Sequence, residues 1–87
     1  MKSNSADHTG ITTLDRLEPG CRSRIIGIRA FGSIRKRMLA MGMVPGAEVE
    51  VIRAAPLGDP VEYRVKGYCL SLRRAEAGLV EVALEGQ

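Results

Sequence analysis

Apolar and polar residues alternate along several segments of the chain, and this period of two is typical of half-buried β-strands. The alternation is most regular over residues 61–66, where each apolar residue is followed by a charged one. The apolar run around Gly27 predicts a β-bulge, or burial on both faces of its strand. Gly67 and Tyr68 are predicted to form the turn of a hairpin. In all, five strands are predicted, at residues 21–29, 48–53, 61–66, 70–73 and 80–85.

One segment follows a helical period instead. Ile34, Met38 and Met41 recur at positions i, i+4 and i+7, which places them on one face of a helix. Ser33 precedes them as a predicted N-cap, and Gly42 follows as a left-handed C-terminal stop. The pattern predicts a helix of two to three turns whose methionines fill the core.

Five short strands with tight connections and one helix fit a small barrel around a single core. The predicted fold is therefore all-β with a short helix, an SH3-like β-barrel of about five strands. The chain has 87 residues, which suffices for one domain with a modest core. Residues 1–10 are polar and lack apolar periodicity, so we expect a flexible N-terminal tail followed by one domain over residues 11–87.

The charge is mildly positive overall, with 13 Lys and Arg against 10 Asp and Glu, but it is unevenly distributed. The segment 22–37 contains cations and no anion, while the C-terminal end is acidic. A basic surface of this kind can orient a partner, although a solvated face is the simpler interpretation. The chain has too few aromatic residues for a single-strand stacking platform, so nucleic-acid binding is not expected. The cations of the segment are Arg22, Arg24, Arg29, Arg35, Lys36 and Arg37.

Several protein classes are not expected from the sequence. No apolar run approaches the roughly 20 residues that cross a bilayer, and the first ten residues do not resemble a signal peptide, so a cytoplasmic protein is expected. The chain has no phosphate-binding loop and no H-E-x-x-H zinc motif. Its single histidine, His8, lies in the predicted tail, where a positioned general base is not expected. We therefore expect a protein that is not an enzyme.

Three ordered blocks carry a family resemblance: I-R-K-R-M-L-A-M-G-M-V-P-G at 34–46, A-P-L-G-D-P at 55–60 and L-S-L-R-R-A-E-A at 70–77. On these blocks the chain resembles the ferrous iron transport protein A family, FeoA. The resemblance implies an SH3-like domain that supports a membrane ferrous-iron transporter bearing a cytoplasmic GTPase domain. The implied function is a cytoplasmic adaptor that docks on the transporter and regulates uptake, recruited to the inner face of the membrane.

The docking surface is predicted from charge and loop shape. The candidate residues are Arg35 and Arg37 on the basic face of the predicted helix, which also carries Lys36, and Arg24 nearby on the preceding strand. The loop Leu57-Gly58-Asp59-Pro60 is the other candidate, because a loop of fixed shape lowers the entropy cost of binding. The partner surface is either the GTPase region or the cytoplasmic face of the membrane domain.

A metal site is the alternative hypothesis. His8 and Cys21 are ligand types near one end of the chain, although their spacing matches no known site. Two chains could share them around zinc or iron, which would give a metal-bridged homodimer, or the chain could act as a stand-alone metal-binding or metal-sensing module. Cys21 and Cys69 are otherwise expected to be free thiols, and no cofactor is expected to be required.

Overall fold

The computed structural model describes residues 10–85. One antiparallel sheet of six strands in the order β1-β6-β2-β3-β4-β5 makes up most of this part. The strands are β1 (Ile11–Thr13), β2 (Arg22–Ile28), β3 (Glu48–Ala54), β4 (Val61–Val65), β5 (Tyr68–Leu72) and β6 (Val80–Leu84). The helical elements are a 3-10 turn (Leu14–Arg16), α1 (Gly32–Ala40) and α2 (Arg74–Ala77). The residues of the predicted N-terminal tail lie outside the described part, except Gly10, whose carbonyl accepts a hydrogen bond from the Leu84 N–H.

Two short elements of the structure were not predicted from the sequence. The strand β1 pairs with β6, with Ile11 opposite Ala83, so the described residues form six strands rather than five. Three residues are too few to show an alternating pattern in the sequence. β1 forms because its backbone pairs with β6, which is distant in sequence. The segment Arg74–Ala77, to which no helix was assigned from the sequence, forms the short helix α2.

The predicted alternation produces the core. On β4, Val61, Tyr63 and Val65 are buried while Arg64 between them is exposed. The register shifts between Ile25 and Gly27, which confirms the predicted bulge in β2. A second bulge, in β3, lies beside β4. Bulges of this kind bend strands and raise their twist. The buried apolar residues form one cluster: Leu14, Ile25, Met38, Met43, Ala47, Val49, Val51, Val61, Tyr63, Val65, Leu72, Ala77, Val80 and Val82.

The sequence predicted the C-terminal end of α1 correctly but not its N-terminal end. Ser33 is not the N-cap: Phe31 holds that position in extended backbone, without a side-chain cap, and Ser33 lies inside the first turn. The predicted stop at Gly42 is confirmed, with a φ of 102°. Gly42 N–H donates to the Leu39 carbonyl and Met43 N–H to the Met38 carbonyl, which are the two hydrogen bonds of a Schellman motif.

The hairpin between β4 and β5 turns one residue earlier than predicted. Val65 pairs with Tyr68, so the turn consists of Lys66 and Gly67. Both have positive φ, 48° and 86°, as a two-residue primed turn requires. Tyr68 is therefore the first residue of β5 rather than part of the turn.

Candidate functional site

The helix α1 contacts the core through one end only. Residues 31–37 are all exposed, and Met38 is the helix's fully buried residue. Ile34 was predicted to face the core, but 46% of it is exposed, whereas Met38, one turn later on the same face, is fully buried. Within residues 10–85, the side chains of Arg35 and Lys36 have no hydrogen bond or ion pair. The first half of α1 therefore presents free positive charge.

Arg37 differs from its two neighbours because it is held in place. Its Nη2 lies 2.7 Å from Glu76 Oε2, which links α1 to α2. The Glu76 carboxylate also accepts the Arg73 backbone N–H at 3.0 Å. These bonds, the one from Arg37 first, lower the pKa of Glu76 below its ordinary value. Arg37 thus has a structural role besides any docking role.

The loop Leu57-Gly58-Asp59-Pro60 is held by one arginine that the sequence analysis did not single out as a site residue. Arg74 Nε donates to the Gly58 carbonyl at 2.6 Å, and the Arg74 backbone N–H donates to Asp59 Oδ1 at 2.9 Å. Its Nη1 also donates to the Asp15 carbonyl at 3.1 Å. Leu57 projects from this fixed loop with 96% of its surface exposed.

No local signal marks Arg74, since its partners lie 15, 16 and 59 residues away in sequence. A basic residue at a strand-helix junction is common, so only the fold reveals the role of Arg74.

Tyr63 is buried, and the charge of Arg74 acts on its hydroxyl. Burial raises the pKa of the Tyr63 hydroxyl to about 12, against an opposing effect of the Arg74 charge.

Arg24 lies on the strand β2, where its side chain contacts Gly46 and Glu85. Its Nη2 forms an ion pair with Glu85 Oε2 at 2.6 Å, and its Nη1 donates to the Gly46 carbonyl at 2.8 Å. The backbone of Arg24 lies opposite Glu48 of β3 and Ala83 of β6. These contacts tie Arg24 to the sheet and to the turn before β3, and neither of them involves α1.

The predicted docking segments are therefore connected through α2. Arg37 of α1 is bonded to Glu76, and the loop 57–60 is bonded to Arg74, two residues earlier on the same short helix. Arg24, by contrast, is anchored at the C-terminal end of β6. Of the seven predicted docking residues, Leu57 is 96% exposed, and Arg35 is exposed with no side-chain hydrogen bond or ion pair among residues 10–85.

The metal hypothesis falls partly outside the described residues, because His8 is among those the structure does not describe. Cys21 is half-buried against the core and is a free thiol. In residues 10–85, no group of three or more His, Cys, Asp or Glu side chains is arranged to hold a metal ion. In the same part of the chain, no helix has the length and apolar character to span a membrane.

Comparison with known proteins identifies the family. The model of the FeoA domain matches residues 12–84. The chain belongs to the FeoA domain family. Over 71 residues it is 44% identical to the Fe(2+) transport protein A/Fe(2+) transporter FeoB fusion protein of Porphyromonas gingivalis. That match covers 82% of this chain but 8% of the fusion, so the chain spans a small part of that relative.

Solved FeoA structures share the fold. The FeoA-like protein of Clostridium acetobutylicum aligns with a TM-score of 0.83 at 34% identity, over 91% of this chain and 92% of that one. The FeoA of Stenotrophomonas maltophilia, solved as a zinc complex and described as a prokaryotic SH3 domain protein, aligns with a TM-score of 0.73 at 27% identity, covering 82% and 88%. These similarities confirm the predicted SH3-like fold.

Proposed function

We propose that this FeoA-family domain is a small cytoplasmic regulator of ferrous iron uptake that docks on the cytoplasmic side of a GTPase-containing ferrous iron transporter. The observation that carries the proposal is the 44% identical relative, in which the matching domain is part of one polypeptide with a FeoB transporter. Joining two domains in one chain keeps them at high effective concentration, which favours a contact between them. The Stenotrophomonas relative has also been described as a candidate activating factor for ferrous iron transport.

The exposed cations of α1 and the fixed loop 57–60 support docking on another protein. Arg35 and Lys36 are solvated and lack an acidic partner within residues 10–85. The loop 57–60 is fixed by Arg74, so it binds without a large ordering cost. We retain Arg24, Arg35, Arg37 and the loop as the proposed docking residues. Arg24 and Arg37 already serve internal ion pairs, which makes Arg35 the cleanest residue to change.

The test is binding of the full-length chain to the intact cognate transporter in lipid nanodiscs, at two salt concentrations. The variant Arg35→Glu reverses one charge on α1. Arg22→Glu is the matched control, because Arg22 is also an exposed arginine whose side chain has no partner in the described part of the chain. Both variants change the net charge equally, so long-range attraction is matched and only the position differs.

Docking through α1 predicts that Arg35→Glu weakens binding more than Arg22→Glu, and that added salt reduces the difference. Equal weakening by the two variants contradicts α1 as the docking face. Failure of the wild-type chain to bind the transporter at either salt concentration contradicts the proposed function.

Regulation is tested by following GTP hydrolysis and iron uptake in the same preparation. A change in hydrolysis on adding the domain indicates control of nucleotide turnover, whereas a change in uptake alone indicates an effect on the membrane domain. The metal-bridged dimer predicted from His8 and Cys21 is tested separately by zinc titration with sedimentation. Unchanged zinc binding after both are replaced by alanine removes those two residues from consideration.

A further inference from the structure

The start of α1 carries an apolar patch beside its free cations. Phe31 is 90% exposed and Ile34 is 46% exposed. Phe31 is the N-cap residue in extended backbone, and its carbonyl accepts the Arg35 backbone N–H at 3.5 Å, so it lies directly before the first turn of α1. Met38, four residues after Ile34 and therefore on the same helix face, is fully buried. Ile34 is thus on the core-facing side of α1 but only about half covered by the described residues, and Phe31 just before the helix is almost fully exposed.

Exposure of Phe31 to water is unfavourable in free energy, and a partner that buries the side chain would recover that free energy. Leaving a large apolar side chain in water forgoes most of its burial free energy, and aromatic residues are enriched at the energetic centres of interfaces. Two cations in the first half of α1, Arg35 and Lys36, are exposed and have no internal partner among the described residues. Arg35 follows Ile34 directly, whereas Lys36 lies on the other side of the helix. An apolar centre with a charged border is the usual composition of a protein interface.

We propose that the apolar patch of Phe31 and Ile34, together with the adjacent cation Arg35, is the anchoring part of the docking surface, and that it receives an acidic segment of the transporter that carries at least one apolar side chain. This inference rests on the proposed function. The charge distribution argues for an acidic occupant: residues 19–47 contain no Asp or Glu, and the glutamates that pair with Arg24, Arg29 and Arg37 all come from the C-terminal part of the chain. Neither Arg35 nor Lys36 forms an ion pair with a carboxylate of the described residues.

Two other occupants fit less well. A second copy of this chain, related by a two-fold axis through the patch, would bring Arg35 against the same cation of the other copy, which is repulsive. A membrane surface takes a helix whose apolar face lies in the interface along its length. In α1 that face is interrupted by Met38, which packs on the sheet, so only the first turn is available.

The experiment measures binding of the full-length chain to the intact transporter in nanodiscs containing anionic lipid, with empty nanodiscs alongside. Phe31→Ala and Ile34→Ala remove the patch. Ile26→Ala is the matched control, since Ile26 is 41% exposed, close to the 46% of Ile34, but lies on β2. Because Phe31 is 90% exposed, its truncation leaves the fold intact, and circular dichroism checks this for each variant.

We expect Phe31→Ala to weaken transporter binding about 30-fold or more, as at the centre of an interface, and Ile34→Ala to weaken it about tenfold. Ile26→Ala is expected to change it less than about twofold. Arg35→Ala should lower the association rate and its salt dependence more than it raises the dissociation rate.

Each other outcome overturns the inference in a distinguishable way. Transporter binding that survives both patch variants unchanged places the docking surface elsewhere and leaves the proposed function standing. Equal binding to empty nanodiscs identifies lipid as the occupant, and a concentration-dependent dimer that Phe31→Ala disrupts identifies a second copy. No binding of the wild-type chain overturns both the inference and the proposed function.

Discussion

Gly42 joins α1 to the following turn in a position where a side chain has no room. Its φ of 102° lies in the left-handed region, and a Cβ built there would be 2.7 Å from the Tyr68 hydroxyl oxygen. That hydroxyl donates a hydrogen bond to the Met41 carbonyl. Gly42→Ala is therefore expected to strain the backbone and to displace Tyr68 from its partner.

The magnitude follows from these two contributions. A left-handed conformation costs a residue with a Cβ about 1–2 kcal/mol, and a lost neutral hydrogen bond costs about 1 kcal/mol. Gly42→Ala should thus lower the free energy of unfolding by about 2–3 kcal/mol. For a domain of this size each kcal/mol corresponds to about 4–8 °C in Tm. Urea unfolding followed by far-ultraviolet circular dichroism measures the change.

Gly46→Ala separates strain from the clash. Gly46 also has a positive φ, 92°, but a Cβ added there would meet no atom within 4 Å. It should therefore lose only the strain contribution, about 1–2 kcal/mol. Adding Tyr68→Phe to Gly42→Ala removes the clashing oxygen and should restore part of the stability, whereas Tyr68→Phe alone destabilises. Equal losses for the two glycine variants, with no rescue by Tyr68→Phe, would refute the reasoning.

Three further predictions concern buried or paired polar groups. Ser23→Ala should raise stability by about 1 kcal/mol in urea unfolding, because its hydroxyl is fully buried and has no hydrogen-bond partner among the described residues; a loss would reveal a partner. Burial raises the pKa of Tyr63 from 10.0 to about 12, so stability should fall as the pH rises from 10 to 12, where the unfolded chain ionises first, and Tyr63→Phe should flatten that fall. The pKa of Glu76 is lowered by Arg37, so this pair should stabilise the fold above the ordinary glutamate pKa and lose its effect as acid protonates the folded carboxylate. Glu76→Gln should reduce the acid dependence, and an unchanged profile would contradict a stabilising pair.

Most of the regular structure follows from local pattern in the sequence. Alternation placed β2, β3, β4 and β6 because a half-buried strand needs apolar residues at every second position. The bulge near Gly27 and the helix stop at Gly42 were predictable because glycine tolerates conformations closed to other residues. The three motif blocks also led to the FeoA family, which the match over residues 12–84 shows.

The tertiary structure decided what depends on distant partners. The strand β1 exists because β6 lies beside it, and Arg74 organises the loop 57–60 through residues far away in sequence. Ile34 has the right spacing for the core, yet the fold leaves it 46% exposed. Three exposed cations form ion pairs with glutamates of the C-terminal part of the chain. Spacing along a chain fixes which residues share a face, whereas burial and pairing depend on what the rest of the fold places against that face. Phe31 and the free cations of α1 therefore became a candidate docking surface only in three dimensions.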